Sequence, residues 1–253
     1  MKVFLTGASS GIGEALARHY AGAGATLGLF ARRETELARL ASMLAPATVV
    51  TYPGDVRDAA ALARAAADFI ARFGAPDIVI ANAGVSRGTL TDEADDLPAF
   101  RTVFDTNVLG IVHTFSPFMA ALRGARAGTL VGIASVAGFR GLPGAGAYSA
   151  SKAAAITYLE SLRVELFGSG VAVVTICPGF IATPMTADNP YKMPFLLAPD
   201  KAARLMARAI ARRRRFYVLP WPMAWLARVL RWVPRSLYDR VLAGRKRKPR
   251  LVD

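Results

Sequence analysis

The chain has 253 residues, 53% of them hydrophobic, which is enough for one large core. Its single cysteine, Cys177, excludes an intrachain disulfide, and no run of 18 apolar residues is present to span a membrane. The net charge of +14 sits at one end: residues 200–253 carry 16 Lys and Arg against three acids, whereas residues 1–199 are nearly balanced.

Met1-Lys2 leads straight into Val3-Phe4-Leu5-Thr6, an apolar strand, so the sequence predicts no signal peptide and a cytoplasmic location. Gly7-Ala8-Ser9-Ser10-Gly11-Ile12-Gly13 follows, then a helix ending near Gly22 or Gly24. Strand, glycine-rich turn and helix N-terminus in that order make an anion site, because backbone N–H groups and the positive end of the helix dipole face the same point. The second strand ends at Ala31-Arg32-Arg33. An NAD site calls for an acid near there to accept from the ribose 2′-OH, whereas arginine suits a 2′-phosphate. The alternative is that Arg32 and Arg33 only cap a helix start, and Glu34 leaves dual specificity open.

Strands are expected near 3–6, 26–30, 48–52, 77–81, 128–134, 171–177 and 216–219, with helices near 13–22, 34–44, 58–73, 98–123, 148–167 and 200–213. Asp200 is read as the cap of the last of these helices. This alternation predicts an α/β protein, a doubly wound parallel sheet of about seven strands (a Rossmann fold), over residues 1–220. Cys177, within an apolar strand, is read as core.

In the helix from 148, Tyr148 and Lys152 lie four apart, on one face. A phenol keeps its proton to pH about 10, and a neighbouring ammonium favours the phenolate. Lowering that pKa to about 7 takes roughly 4 kcal/mol, which a desolvated cation beside a positively charged nicotinamide can supply. The pair suits proton transfer to or from a carbonyl or carbinol oxygen. A solvated lysine beside a half-buried ring is the plainer reading of the pair taken alone.

Taken together these motifs resemble the short-chain dehydrogenase/reductase (SDR) family, in its single-domain branch of about this length, over residues 3–184. Thr6-Gly7-x-x-x-Gly11-x-Gly13, with Ser9, Ser10 and Ile12 inside it, matches the family's cofactor motif. Asp55-Val56 resembles its adenine-binding pair, Asn82-Ala83-Gly84 its N-A-G segment, and Pro178-Gly179, Ile181 and Thr183 the stretch against the nicotinamide carboxamide. Asn107, Ser135, Tyr148 and Lys152 match the catalytic tetrad. Ala81 departs from the second Asn that many members carry.

The resemblance implies a small-molecule carbonyl or alcohol substrate, with NADP(H) favoured over NAD(H). Tyr148 then acts as general acid/base and Lys152 lowers its pKa and bonds the nicotinamide ribose. Ser135 orients the substrate oxygen, and Asn107 holds a water that reconnects Lys152 to solvent. It also implies a homodimer or homotetramer paired through helices 98–123 and 148–167. The competing class is a catalytically silent NADP-binding regulatory or scaffold protein.

The segment after Thr183 is expected as an apolar lid, with Met185, Tyr191, Met193, Phe195, Leu196 and Leu197, which points to a lipophilic substrate. Arg140 is offered either to an acidic substrate group or to solvent. Residues 221–253 are read as a separate basic amphipathic extension. Trp225, Leu226, Val229, Leu230 and Val233 form one stripe of a helix from Trp221 to Val233; Arg228, Arg231 and Arg235 form another. Pro234 ends that helix and a shorter one carries Leu237, Tyr238, Val241 and Leu242; residues 244–250 are expected to be disordered. Two readings stay open: peripheral membrane contact through residues 221–250, or packing of the stripe over the substrate pocket or a neighbouring subunit. Specific nucleic-acid binding is not expected, since no base-reading motif accompanies the charge.

Overall fold

The computed structural model describes residues 1–187, 189, 192–244 and 250. Seven strands form one parallel sheet: β1 (Lys2–Thr6), β2 (Thr26–Ala31), β3 (Val49–Pro53), β4 (Ile78–Ala81), β5 (Thr129–Ile133), β6 (Ala172–Pro178) and β7 (Phe216–Leu219). Their order, β3-β2-β1-β4-β5-β6-β7, reverses between β1 and β4, and that reversal opens a crevice at the carboxyl ends of the strands.

The strands read as near-continuous apolar runs because both faces of the sheet are covered. Alternation along β1 separates the two halves of the core. Val3 and Leu5 pack with α1 (Gly11–Gly22), α2 (Glu34–Met43) and residues of a later helix around Met206 and Ile210. Phe4 faces the other way, onto Phe69 of α3 (Ala59–Phe73), Phe115 and Phe118, and Leu159. Asp58 caps α3 by accepting from the Ala61 amide at 3.0 Å.

The helix expected over 98–123 is instead a broken run: α4 (Leu97–Phe104), a π-helical turn (Asp105–Leu109), α5 (Gly110–Phe115), a 3₁₀ turn, and α6 (Met119–Ala125). The extra residue per turn at 105–109 sets Asn107 inward, a feature that periodicity alone does not signal. The run from Ala94 to Ala125 is long and apolar enough (mean hydropathy 1.2) to meet a membrane span on length and composition alone. Its Val103, Ile111, Phe115, Phe118 and Leu122 are buried in the core.

After α7 (Gly146–Glu165) and the short α8 (Pro184–Ala187) comes α9 (Pro199–Ala211). Asp200 is not its cap. Ala198 holds that position, Pro199 fills the first turn, and the Asp200 carboxylate accepts from Arg18 at 2.6 Å. Two further helices, α10 (Trp221–Trp232) and α11 (Arg235–Leu242), follow among the described residues.

The expected stripe on α10 is not a buried face. Trp225, Leu226 and Val229 are exposed, along with Trp221 and Trp232, and the helix seats Met223 instead. Nor is the basic end wholly free. Arg250 donates through Nε to Asp96 at 2.9 Å and pairs with Glu93 at 3.1 Å. The Asp96 carboxylate is held below its usual pKa by the Leu90 amide first and by Arg250 second. Residues 245–249 of that stretch lie outside the described residues, as does the side chain of Arg231.

Candidate active site

The turn after β1 is a backbone cradle. Gly7 has φ +68°, and a Cβ there would come within 2.7 Å of the Ala83 Cα; at Gly13 it would overlap the Gly7 carbonyl. Helix α1 therefore starts hard against the strand end. Thr6 and Asn82 fasten this turn to β4. The Thr6 hydroxyl donates to Ile80 O and accepts from the Asn82 amide at 3.2 Å; Asn82 Nδ2 donates to the carbonyls of Thr6 (3.0 Å) and Gly7 (3.1 Å).

A cleft of about 230 Å³ opens above the turn. Of the cofactor residues expected from sequence, it collects Gly7, Ser9, Ser10, Gly11, Ile12, Arg32, Arg33, Asp55, Val56, Asn82, Ala83, Gly84 and Thr183. Thr6 is buried behind it, and Gly13 acts through the close packing just described. Pro178, Gly179 and Ile181 also stand off the cleft, Ile181 in the core. The cleft adds Ala31, Gly54, Val85, Thr106, Pro184 and Met185. Val85 and Thr106 directly adjoin Gly84 and Asn107, so extending those two motifs by one residue would have found them.

Arg33 precedes α2 but makes no side-chain cap there. Its Nη2 donates to the Ser9 carbonyl at 3.2 Å and to Ser9 Oγ at 3.1 Å, tying the end of β2 to the glycine turn. The Asp55 carboxylate is held below its usual pKa by its hydrogen bonds from Arg57, at 2.8 and 3.1 Å. An open concave surface of backbone amides at a helix N-terminus, flanked by two guanidinium groups, fits a dinucleotide with its phosphates at the turn.

Beyond the cleft lie the four residues expected to react. Asn107 is fully buried. Its Oδ1 accepts from the Val85 amide at 2.8 Å, and Nδ2 donates to Val85 O at 2.9 Å and Ser151 Oγ at 3.0 Å. The side chain is thus a splint between the loop after β4 and α7. Lys152, 4% exposed, donates from Nζ to the Ile133 carbonyl at 2.9 Å, and burial lowers its pKa to about 8. Gly84 sits between the two: a Cβ there would lie 3.2 Å from Asn107 Oδ1 and 3.4 Å from Lys152 Nζ. Tyr148, half-buried, has its ring centroid 5.9 Å from Lys152 Nζ.

Ser135 lies two residues past the end of β5 and caps a 3₁₀ turn (Val136–Gly138), its Oγ accepting from the Ala137 amide at 3.1 Å. Cys177 is buried and its thiol pKa is pushed up to about 12, chiefly by desolvation, which fits a core residue.

Two expectations near the site need correction. Leu197 is buried and bridges Ile181, so it anchors the lid segment and does not line it. Met185, Phe195 and Leu196 are exposed, whereas Tyr191 lies outside the described residues. Arg140 is neither free nor open to an acidic group through Nη1, which is bonded to the carbonyls at the end of α10.

A parallel sheet whose carboxyl ends hold a phosphate-type cleft beside a buried lysine and a tyrosine defines a nucleotide-binding oxidoreductase. The family model for short chain dehydrogenase matches residues 1–193, and the chain belongs to that family. An "Uncharacterized oxidoreductase" of Myxococcus xanthus (strain DK1622) is 40% identical, covering 93% of each chain. The 11-beta-hydroxysteroid dehydrogenase A of Sesamum indicum is 32% identical over 93% of this chain and 75% of its own length. Among solved structures, a short chain dehydrogenase/reductase from Burkholderia phymatum in complex with NAD superposes with a TM-score of 0.81 at 28% identity, covering 98% of this chain and 96% of that one. The protein is a dehydrogenase/reductase acting on CH–OH groups, in the fold expected from its sequence.

Proposed function

We propose that the protein is an NADP(H)-dependent oxidoreductase that interconverts a carbonyl and an alcohol, with Tyr148 as general acid/base. The observation that carries this reading is the setting of Lys152: a buried ammonium beside Asn107 and Gly84, one turn from Tyr148. A nicotinamide dinucleotide held by the turn from Gly7 and by Arg32 and Arg33 would supply or accept the hydride. In the reducing direction Tyr148 gives its phenolic proton to the substrate oxygen, and the Lys152 charge stabilises the phenolate left behind. The Ser135 hydroxyl donates to the same oxygen and fixes its position. Asn107, with its amide committed to Val85 and Ser151, holds the floor on which Lys152 stands. Arg32 and Arg33 at the cleft, with no acid at residue 31, favour a 2′-phosphate.

The exposed apolar side chains of Met185, Phe195 and Leu196, together with similarity to a hydroxysteroid dehydrogenase, support a lipophilic substrate. Leu97, Leu109, Val164 and Phe167 are exposed on or next to the helices expected to pair, which supports a homodimer or homotetramer. The exposed tryptophans of α10 among basic residues support peripheral membrane contact of a cytoplasmic protein.

The test is NADPH consumption against aldehydes, ketones and quinones, with Tyr148→Phe as control. Turnover by wild type and its loss in Tyr148→Phe are expected. Turnover that survives the substitution rejects the catalytic assignment. Tight NADPH binding without turnover on any compound favours the silent regulatory reading.

A further inference from the structure

The segment that follows Ser135 is fastened to the last two helices by a reciprocal clamp. Arg140 donates through Nη1 to the carbonyls of Leu230 (2.7 Å) and Val233 (3.1 Å), at the end of α10 where backbone acceptors lack helical partners. The same guanidinium lies over the Tyr238 ring of α11, 4.0 Å from its centroid. Tyr238 closes the loop by donating its hydroxyl to the Gly141 carbonyl at 2.8 Å. A planar fork can bond in its plane and stack on its face at once, which an ammonium cannot.

Two apolar contacts run alongside. Phe139 meets Phe216 with ring centroids 6.0 Å apart. Met223, 5% exposed, sits so close to Gly179 that a Cβ there would come within 2.8 Å of the Met223 Cγ. Helices α10 and α11 thus touch both segments that leave the carboxyl ends of β5 and β6, the end of the sheet where ligands bind. All of the clamp's partners in α10 and α11 lie beyond residue 193, where the short chain dehydrogenase match stops.

We propose that Arg140 is a positioning residue: by holding α10 and α11 against the segment after Ser135, it makes the C-terminal extension a wall of the substrate site that selects substrates by length. This rests on the oxidoreductase reading above. Substrate discrimination is therefore carried in part by a region outside the family match, and loosening the clamp opens the site without touching the glycine turn, Arg32 or Arg33, which hold the dinucleotide end of the cleft.

All three tryptophans of the chain lie in α10, so intrinsic fluorescence of the full-length protein reports on this helix alone. The experiment compares wild type, Arg140→Ala, Arg140→Lys and Tyr238→Phe by tryptophan anisotropy, and by KM and kcat for straight-chain aldehydes of increasing length with NADPH. Arg140→Ala is expected to lower the anisotropy and to shift KM for the longest substrates about tenfold, flattening the dependence on length. NADPH affinity and kcat for the shortest aldehyde are expected to change by less than about twofold. Arg140→Lys should restore only part of the difference, and Tyr238→Phe should show a smaller version of it.

Anisotropy in Arg140→Ala equal to wild type overturns the clamp. A shift of every KM by one common factor overturns the wall while leaving the clamp standing. If wild type turns over no compound, the oxidoreductase reading fails and the wall with it, but the anisotropy comparison still decides the clamp.

Discussion

Lys152 donates its ammonium proton to the Ile133 carbonyl at 2.9 Å from a position only 4% exposed. Burial holds its pKa at about 8, against 10.5 in the unfolded chain. Between those two values the folded protein has released a proton that the unfolded chain keeps, so stability rises with pH across the window. Below pH about 8 the cost of the buried charge is present in full, roughly 3 kcal/mol on this shift. The difference in unfolding free energy between wild type and Lys152→Met should therefore move in favour of wild type from pH 8 to 10.5. Urea denaturation of the protein without cofactor measures it, and a difference that stays flat across the window rejects the assignment.

Asn107 satisfies both backbone groups of Val85 and the Ser151 hydroxyl, so its removal strands several buried polar atoms at once. Asn107→Ala should cost about 2–4 kcal/mol of stability and reduce turnover with it. Asn107→Asp keeps the acceptor for the Val85 amide but loses the donor, and should fall between the two. Thermal melts scored beside kcat decide this. Loss of kcat in Asn107→Ala with unchanged stability would assign the side chain to proton relay and not to support.

Much of this was open to sequence reading, for physical reasons. A parallel sheet buried on both faces writes itself as apolar runs such as Thr129–Ile133, and a glycine with φ +68° at residue 7 has few substitutes. What could not be read depends on contacts between distant residues. The π-helical turn that sets Asn107 inward leaves no periodic trace. Arg140 looked like a free cation because its partners, Leu230, Val233 and Tyr238, lie about ninety or more residues away. The α10 stripe left two outcomes open because an amphipathic pattern says which residues share a face, not whether that face meets protein or solvent.

Arg33 bridges to Ser9 while Arg32 lines the cleft, so the two need not contribute equally to cofactor choice. Arg32→Ala together with Arg33→Ala should weaken NADPH binding about tenfold or more, about 1.4 kcal/mol, and change NADH binding by less than about threefold. Titration of each variant with both dinucleotides gives the ratio. Equal losses for the two would show the arginines serving the shared pyrophosphate, and the preference for NADP would then have no support at residues 32 and 33.

Trp221, Trp225 and Trp232 are 74%, 62% and 87% exposed, a placement that costs burial energy in water and recovers it at a lipid interface. Arg228 lies on the same helix, and Arg235 and Arg240 on α11, each worth about 1 kcal/mol near an anionic surface at moderate salt. The full chain should therefore co-sediment with vesicles containing phosphatidylserine, less with neutral vesicles, and less again at high salt, where the Debye length is about 3 Å. Changing Trp225 and Trp232 together to Ala should remove most of the pelleting while leaving NADPH binding within about twofold, since neither residue touches the cleft. If the double variant pellets like wild type, charge alone holds the protein at the vesicle and the tryptophan face serves another contact. If wild type fails to pellet with anionic vesicles at low salt, the membrane reading is lost, and the exposed face is then better tested as a subunit interface by sedimentation of the same two proteins.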